Sequence, residues 1–242
     1  MIKVIKNGTV VTMDDSRRKK YEKLDIVIDG DAIAALTSNY EGNYDEVIDA
    51  SGKIVMPGLI NAHTHLGMSI FRATNDNLSL NDWLTKKIWP IEDKLTNEDI
   101  YYSTLLSAIE MIKSGTVMSN DMYFNCDGSL KALRETKVRC LFGRCLMDND
   151  EDGDNRIADF KRLYEENKDN ELIKFAIAPH AFYTCSKEYL KECSDLALQY
   201  NLPFHIHFSE NENEVQQIRK LYGKDPVDAL EEVGLFRNKL IL

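Results

Sequence analysis

Apolar and polar residues change rhythm once along this chain. Up to residue 56, short apolar runs (IKVIKNGTVVTM, LDIVIDGDAIAALT, EVIDASGKIVM) are punctuated by Asn7-Gly8, Asp29-Gly30 and Ser51-Gly52. Short apolar runs broken by such dipeptides predict strands joined by turns, so residues 1–56 read as a small β unit. After Pro57 the pattern alternates between two kinds of segment. Strand-like apolar runs fall at 59–64, 116–122, 138–146, 173–179, 203–208 and 239–242. Helical patterns lie between them at 97–114, 129–137, 155–167, 186–200, 211–221 and 226–233. Thr96, followed by Glu98 and Asp99, and Ser186, followed by Glu188, supply helix starts, and Gly115 a helix end. Strand–helix alternation predicts parallel β/α units.

The number of strands limits the architecture. An eight-stranded β/α barrel typically takes ~250 residues, more than the 242 of the whole chain. Six strand-like runs are present, and the last closes the chain. The sheet is therefore expected to be open, or the chain to be the front part of a longer protein.

Composition removes some classes of function. A net charge of -10 and 43% hydrophobic residues fit an acidic globular protein with a sizeable core. No basic stripe or basic amphipathic helix offers itself to nucleic acid or to a membrane surface. No apolar run is long enough to span a bilayer, and the N-terminus lacks a signal-peptide pattern. Five cysteines without a C-x-x-C pair suggest neither a disulfide framework nor a thiolate zinc site, and fit a reducing cytoplasm.

Four of the five histidines come in two H-x-H pairs: His63 and His65 in PGLINAHTH, and His205 and His207 in HIHFSE. Residues i and i+2 of a strand face the same way, so each pair can offer two imidazoles to one metal. Each pair can equally be two hydrogen-bonded histidines at a strand end. Glu210 follows close enough to reach a water on that metal without being a ligand. Imidazole with carboxylate suits zinc, iron, manganese or nickel. His180, alone in APHAFY, is either structural or a substrate contact at another strand end.

PGLINAHTH, WPIEDKLT, SNDMYF, APHAFYTCS and HIHFSENENEV occur in an order and spacing that resemble the amidohydrolase superfamily. The branch is the one containing 5-methylthioadenosine/S-adenosylhomocysteine deaminases, with chlorohydrolases and guanine or cytosine deaminases nearby. The resemblance implies an α/β fold: an incomplete TIM-type (β/α)8 metal-dependent hydrolase barrel. Residues 57–242 would supply its first five units and the start of the sixth strand, and residues 1–56 a β-sandwich portion before it. It also implies that His63, His65 and His207 are metal ligands, with zinc the leading metal, and that His205 stands behind them. Glu210 would move the proton of an activated water. Glu92, through ribose hydroxyls, and His180 would contact substrate, with Trp83 and Arg144 as weaker candidates. On composition alone Glu92 is an exposed acid, Trp83 a core or lid aromatic and Arg144 a solvated charge.

The implied reaction is hydrolytic deamination of an adenosine-type nucleoside, releasing ammonia. The small-molecule purine nucleoside would be the partner, with no nucleic acid and no membrane. A free-base deaminase or a chlorohydrolase is the alternative within the class. The chain also departs from the pattern. A further histidine after the sixth strand and an aspartate ligand after the eighth fall beyond Leu242, and Phe182 stands where proline is common. A metal-binding fragment with little or no turnover is therefore the alternative outside the class. Apolar surface at an unfinished barrel invites association, hence a homo-oligomer.

Overall fold

A computed structural model describes residues 1–16, 21–74 and 77–242. Residues Met1–Gly58 form one compact unit and Leu59–Leu242 a second.

The first unit is a single sheet. Strands β1 (Ile2–Val11), β2 (Tyr21–Asp29) and β3 (Ala32–Thr37) form an antiparallel meander. β4 (Glu46–Asp49) and β5 (Ile54–Val55) both pair in parallel with β1. The expected turn at Asn7-Gly8 is instead a bulge inside a continuous β1. The register with β2 slips between Ile5 and Gly8, and Asn7 takes a φ of 64°. The buried Asp25 carboxylate explains it, accepting the Asn7 N–H at 3.0 Å and the Tyr40 N–H at 2.9 Å. Asn-Gly suits a positive φ in a bulge as well as in a hairpin turn, and here the chain on either side is already paired. Val10, Leu24 and Ile26 form the core of this unit, with Ile5, Ile28, Leu36 and Val55 against them.

The second unit is a six-stranded, all-parallel sheet in which spatial order follows chain order. It contains β6 (Leu59–Thr64), β7 (Thr116–Tyr123), β8 (Arg139–Leu146), β9 (Ile173–Pro179), β10 (Phe204–His205) and β11 (Leu240–Ile241). This is a barrel in part, as the family resemblance implies, built from the parallel β/α units that the pattern predicts. β10 is shorter than the run at 203–208. Beyond it the chain stays extended, with His207 N–H donating to His180 O at 2.9 Å.

Between β6 and β7 lies a helical stretch that the hydrophobic pattern does not predict. α1 (Leu80–Trp83) runs through a π turn (Leu84–Ile88) into α2 (Trp89–Glu92). Pro90 explains the irregularity. Proline has no N–H to continue the ladder and crowds the preceding turn, and the widened turn lets Trp89 N–H reach Leu84 O. α3 (Asn97–Ser114) has the bounds that the pattern predicts, with a Thr96/Asp99 capping box and a left-handed Gly115 at its end.

The other connections carry α4 (Cys126–Thr136), α5 (Gly153–Asn167), α6 (Lys187–Tyr200), and the pair α7 (Glu212–Tyr222) and α8 (Pro226–Glu232). The core lies between sheet and helices. Phe142 of β8, Phe175 of β9 and Phe160 of α5 meet there, fully or nearly fully buried. Each such side chain contributes about 1.5–3 kcal/mol. The opposite face of the sheet carries small residues. A Cβ on Gly143 would lie 2.4 Å from that of Ala178, so the interior has no room for larger side chains at that level. Among the described residues no helix is long and apolar enough to cross a membrane.

Candidate active site

Because all six strands are parallel, their C-terminal ends lie on one face, and the chemistry-bearing residues collect there. His63 is the penultimate residue of β6, His65 lies just past its end, and His207 follows β10. Their ligand nitrogens all lie within 4.8 Å of one another. Two nitrogens each about 2.1 Å from a tetrahedral ion are about 3.4 Å apart, so a pair at the 4.8 Å limit would close by about 1.4 Å on binding. His65 Nδ1 donates to Met122 O at 2.7 Å, which leaves Nε2 free as a ligand. Burial, then the neighbouring imidazoles, push His207 down to about 2, and burial lowers His63 as well. Neutral imidazole is the form that binds a metal. The donor set therefore fits a divalent cation.

His205 stands outside this group. It is buried, and Asn120 Nδ2 donates to its Nε2 at 3.4 Å. Asp121, on the strand beside β6, organises the His63–His65 segment from behind. One carboxylate oxygen accepts the Thr64 hydroxyl and the Leu66 N–H, both at 2.8 Å. Burial raises this acid to about 6.

The three histidines open into a cavity of about 180 Å³, which Trp83, Glu92, His180 and Glu210 also line. Four of the residues singled out from sequence thus join the histidine group. Glu92, the last residue of α2, accepts the Tyr123 phenol at 2.6 Å, and burial raises its carboxyl. His180 Nδ1 is 2.9 Å from Thr184 Oγ1, whose own proton goes to Ala181 O at 3.2 Å. With the hydroxyl proton on Ala181 O, Nδ1 donates to Thr184 and Nε2 is left to accept. Burial keeps this ring neutral, at about 4.

Glu210 sits on a turn that begins at Ser209, whose φ is 53°. Its own N–H donates to the buried Glu214 carboxylate at 2.8 Å, and Tyr183 Oη donates to Glu210 Oε2 at 3.4 Å. Asn211 Oδ1 caps α7 by accepting the Glu214 N–H at 3.0 Å.

Arg144 does not reach this cavity. It pairs with Asp159 at 3.3 Å and lines a neighbouring hollow of about 370 Å³, together with Trp89, Glu92 and Arg156. Sequence reasoning gave no role to Tyr123, Tyr183, Trp89 or Asp121. All four lie inside motifs already notable as strings: SNDMYF holds Asp121 and Tyr123, APHAFYTCS Tyr183, and WPIEDKLT Trp89.

A parallel β/α sheet with two histidines at the end of its first strand and a third after its fifth defines a class, and comparison agrees. The amidohydrolase family model matches residues 54–242, and the chain belongs to that family. Within it, the chain is 43% identical over 238 residues to the 5-methylthioadenosine/S-adenosylhomocysteine deaminase of Thermoanaerobacter pseudethanolicus, covering 96% of this chain and 55% of that protein. It is 40% identical to the 5'-deoxyadenosine deaminase of Methanothermobacter thermautotrophicus, over 87% of this chain and 50% of that one. The chain thus spans about half the length of the curated relatives it matches. Among solved structures, an adenosine deaminase from Xanthomonas campestris with bound zinc superposes with a TM-score of 0.90 at 29% identity, over 98% of this chain and 56% of that one.

Proposed function

We propose that this chain supplies the metal-binding and substrate-binding half of a zinc-dependent hydrolase that deaminates adenosine-type nucleosides. S-adenosylhomocysteine, 5-methylthioadenosine and adenosine are the candidate substrates. One observation carries the reading: the three-imidazole group, Glu210 and Glu92 face a single cavity. The relatives' names, and the zinc in the Xanthomonas campestris deaminase, support the choice of reaction and metal.

His63, His65 and His207 would hold the ion, which when bound supplies activation of water near neutral pH. The remaining steps belong to the protein. Trp83 and Trp89 form apolar walls that exclude bulk water from a planar base. Glu92 accepts the ribose hydroxyls and sets how deeply the nucleoside enters. His180 would present Nε2 to the substrate from the C-terminal end of β9. Glu210 takes the proton of the attacking water, passes it to a ring nitrogen, and then assists departure of ammonia. Its backbone is held by Glu214 and its carboxylate by Tyr183, so it can act without ligating the metal. A neighbouring hollow with Arg144 at its wall is available to the 5' substituent of the substrate. Five free and buried thiols fit a reducing, cytoplasmic setting.

The test is ammonia release by the zinc-loaded protein from adenosine, 5-methylthioadenosine, S-adenosylhomocysteine, guanine and a chlorotriazine. Release from the adenosyl compounds alone is the expected result. Release from guanine or chloride loss from the triazine, with the adenosyl compounds untouched, would replace this reading by another member of the family. Zinc binding without any turnover would point to the metal-binding fragment.

A further inference from the structure

Glu92 lines two hollows at once. One is the inner cavity with the histidines, and the other is the larger hollow beside it that contains Arg144 and Arg156. A carboxylate at the last residue of a short helix can turn toward either. Its one hydrogen-bond donor among the described residues is Tyr123, and Tyr123 lines only the inner cavity.

Tyr123 is itself firmly held. It ends β7 and is 2% exposed. Its ring lies so close to the backbone of Gly67 that a Cβ there would sit 2.4 Å from Cε1. Phe124 packs beside it with ring centroids 5.8 Å apart. A rigid phenol therefore fixes one oxygen of a carboxylate that borders both hollows. The grip uses only Oε1, at 2.6 Å. An ionised carboxylate can accept about four hydrogen bonds, so the second oxygen and the remaining lone pair stay open. Two neighbouring hydroxyl donors are what such a fixed, half-used carboxylate is shaped to accept.

We infer that Tyr123 is a positioning residue: its phenol holds Glu92 on the inner-cavity side, so that the carboxylate can accept both vicinal hydroxyls of a ribose. This inference rests on the nucleoside reading above and adds the part that makes it selective for a diol.

Calorimetric titration of the zinc-loaded protein tests it without turnover, using inosine and 2',3'-dideoxyinosine as probes. Both are already deaminated and differ only in the two hydroxyls. The parent protein is expected to prefer inosine by at least about tenfold. In Tyr123→Phe, which removes one oxygen and keeps the ring, that preference should fall to within about threefold while dideoxyinosine affinity stays unchanged. Equal weakening of both ligands would make Tyr123 merely structural and overturn the inference, as would an intact preference. Glu92→Gln separates the two levels. Preference lost there but kept in Tyr123→Phe leaves the nucleoside reading standing and removes this inference. A parent protein without the preference, or one that binds neither ligand, removes both.

Discussion

Gly67 follows His65 by two residues, and its lack of a side chain has a measurable value. In Gly67→Ala the new Cβ would lie 2.4 Å from Tyr123 Cε1 and 2.5 Å from Cδ1. Ordinary carbon contacts are about 3.5–4.0 Å, so the ring must retreat by about 1 Å. Tyr123 is nearly fully buried, and its phenol is 2.6 Å from Glu92, so retreat breaks that hydrogen bond. Overpacking costs about 1–3 kcal/mol, and a lost hydrogen bond to a charged acceptor about 1.5–3 kcal/mol. Against this, alanine restricts the unfolded chain and returns about 0.4–1 kcal/mol. The clash wins, with a net loss of about 2–5 kcal/mol. For a unit of this size that is a fall in Tm of roughly 5–15 °C, readable by calorimetry or urea unfolding. The cause is checked in a Tyr123→Ala background, where the methyl group has space and should cost less than about 0.5 kcal/mol. A Gly67→Ala protein as stable as its parent, or an equal cost in both backgrounds, would refute the argument.

Three further outcomes follow from the site and its supports. His207→Ala should weaken zinc binding by more than about a hundredfold in a chelator competition, and His205→Ala by less than about tenfold; equal losses would put His205 among the ligands. Glu214→Ala removes the acceptor for the Glu210 N–H and an acidic residue from the first turn of α7, and should lower stability by about 1–2 kcal/mol in urea, with Glu214→Gln largely retaining it. Arg156 holds the Asp150 carboxyl below its ordinary 3.8, at about 2, mainly by direct hydrogen bonding. A lowered acid stabilises the fold above its unfolded value and loses that contribution as pH falls through the folded one. The partly exposed pair is worth under about 1 kcal/mol, so Asp150→Asn should be slightly less stable than the parent at pH 5 and equal to it near pH 2 by urea midpoint; a gap that persists at pH 2 would contradict this.

The regular parts of the β/α unit were legible because their signals are local. Thr96, Asp99 and Gly115 bracket α3, and a two-residue histidine spacing at a strand end needs only the strand to become a pair on one face. Asn7-Gly8 misled because a positive φ is all that the dipeptide encodes; whether it becomes a hairpin or a bulge depends on Asp25, which lies on a different strand. The helical stretch from Leu80 to Glu92 was missed because it is held by no single periodicity, and Pro90 forces a π turn into its middle. Tyr123 and Tyr183 were invisible as site residues for a related reason. A tyrosine at or beyond a strand end reads as a core aromatic until its hydroxyl is seen to meet a carboxylate that is far away in sequence. Arg144 shows the converse: near the end of β8 it reads as a solvated charge, whereas the fold pairs it with Asp159 at the wall of the neighbouring hollow.

In the parallel sheet each strand pairs with the one made just before it. A chain emerging from the ribosome can therefore lay down β6 to β9 in order, each addition resting on a finished neighbour. The histidine cluster does not share this schedule. His63 and His65 are among the first residues of the unit to appear, yet they wait until His207 has been synthesised before a third imidazole joins them. All three imidazoles can meet one ion only after His207 has been made. Until then the nascent sheet is held by its own strand pairing and packing, and metal supplied early in synthesis would meet only two of the three histidines.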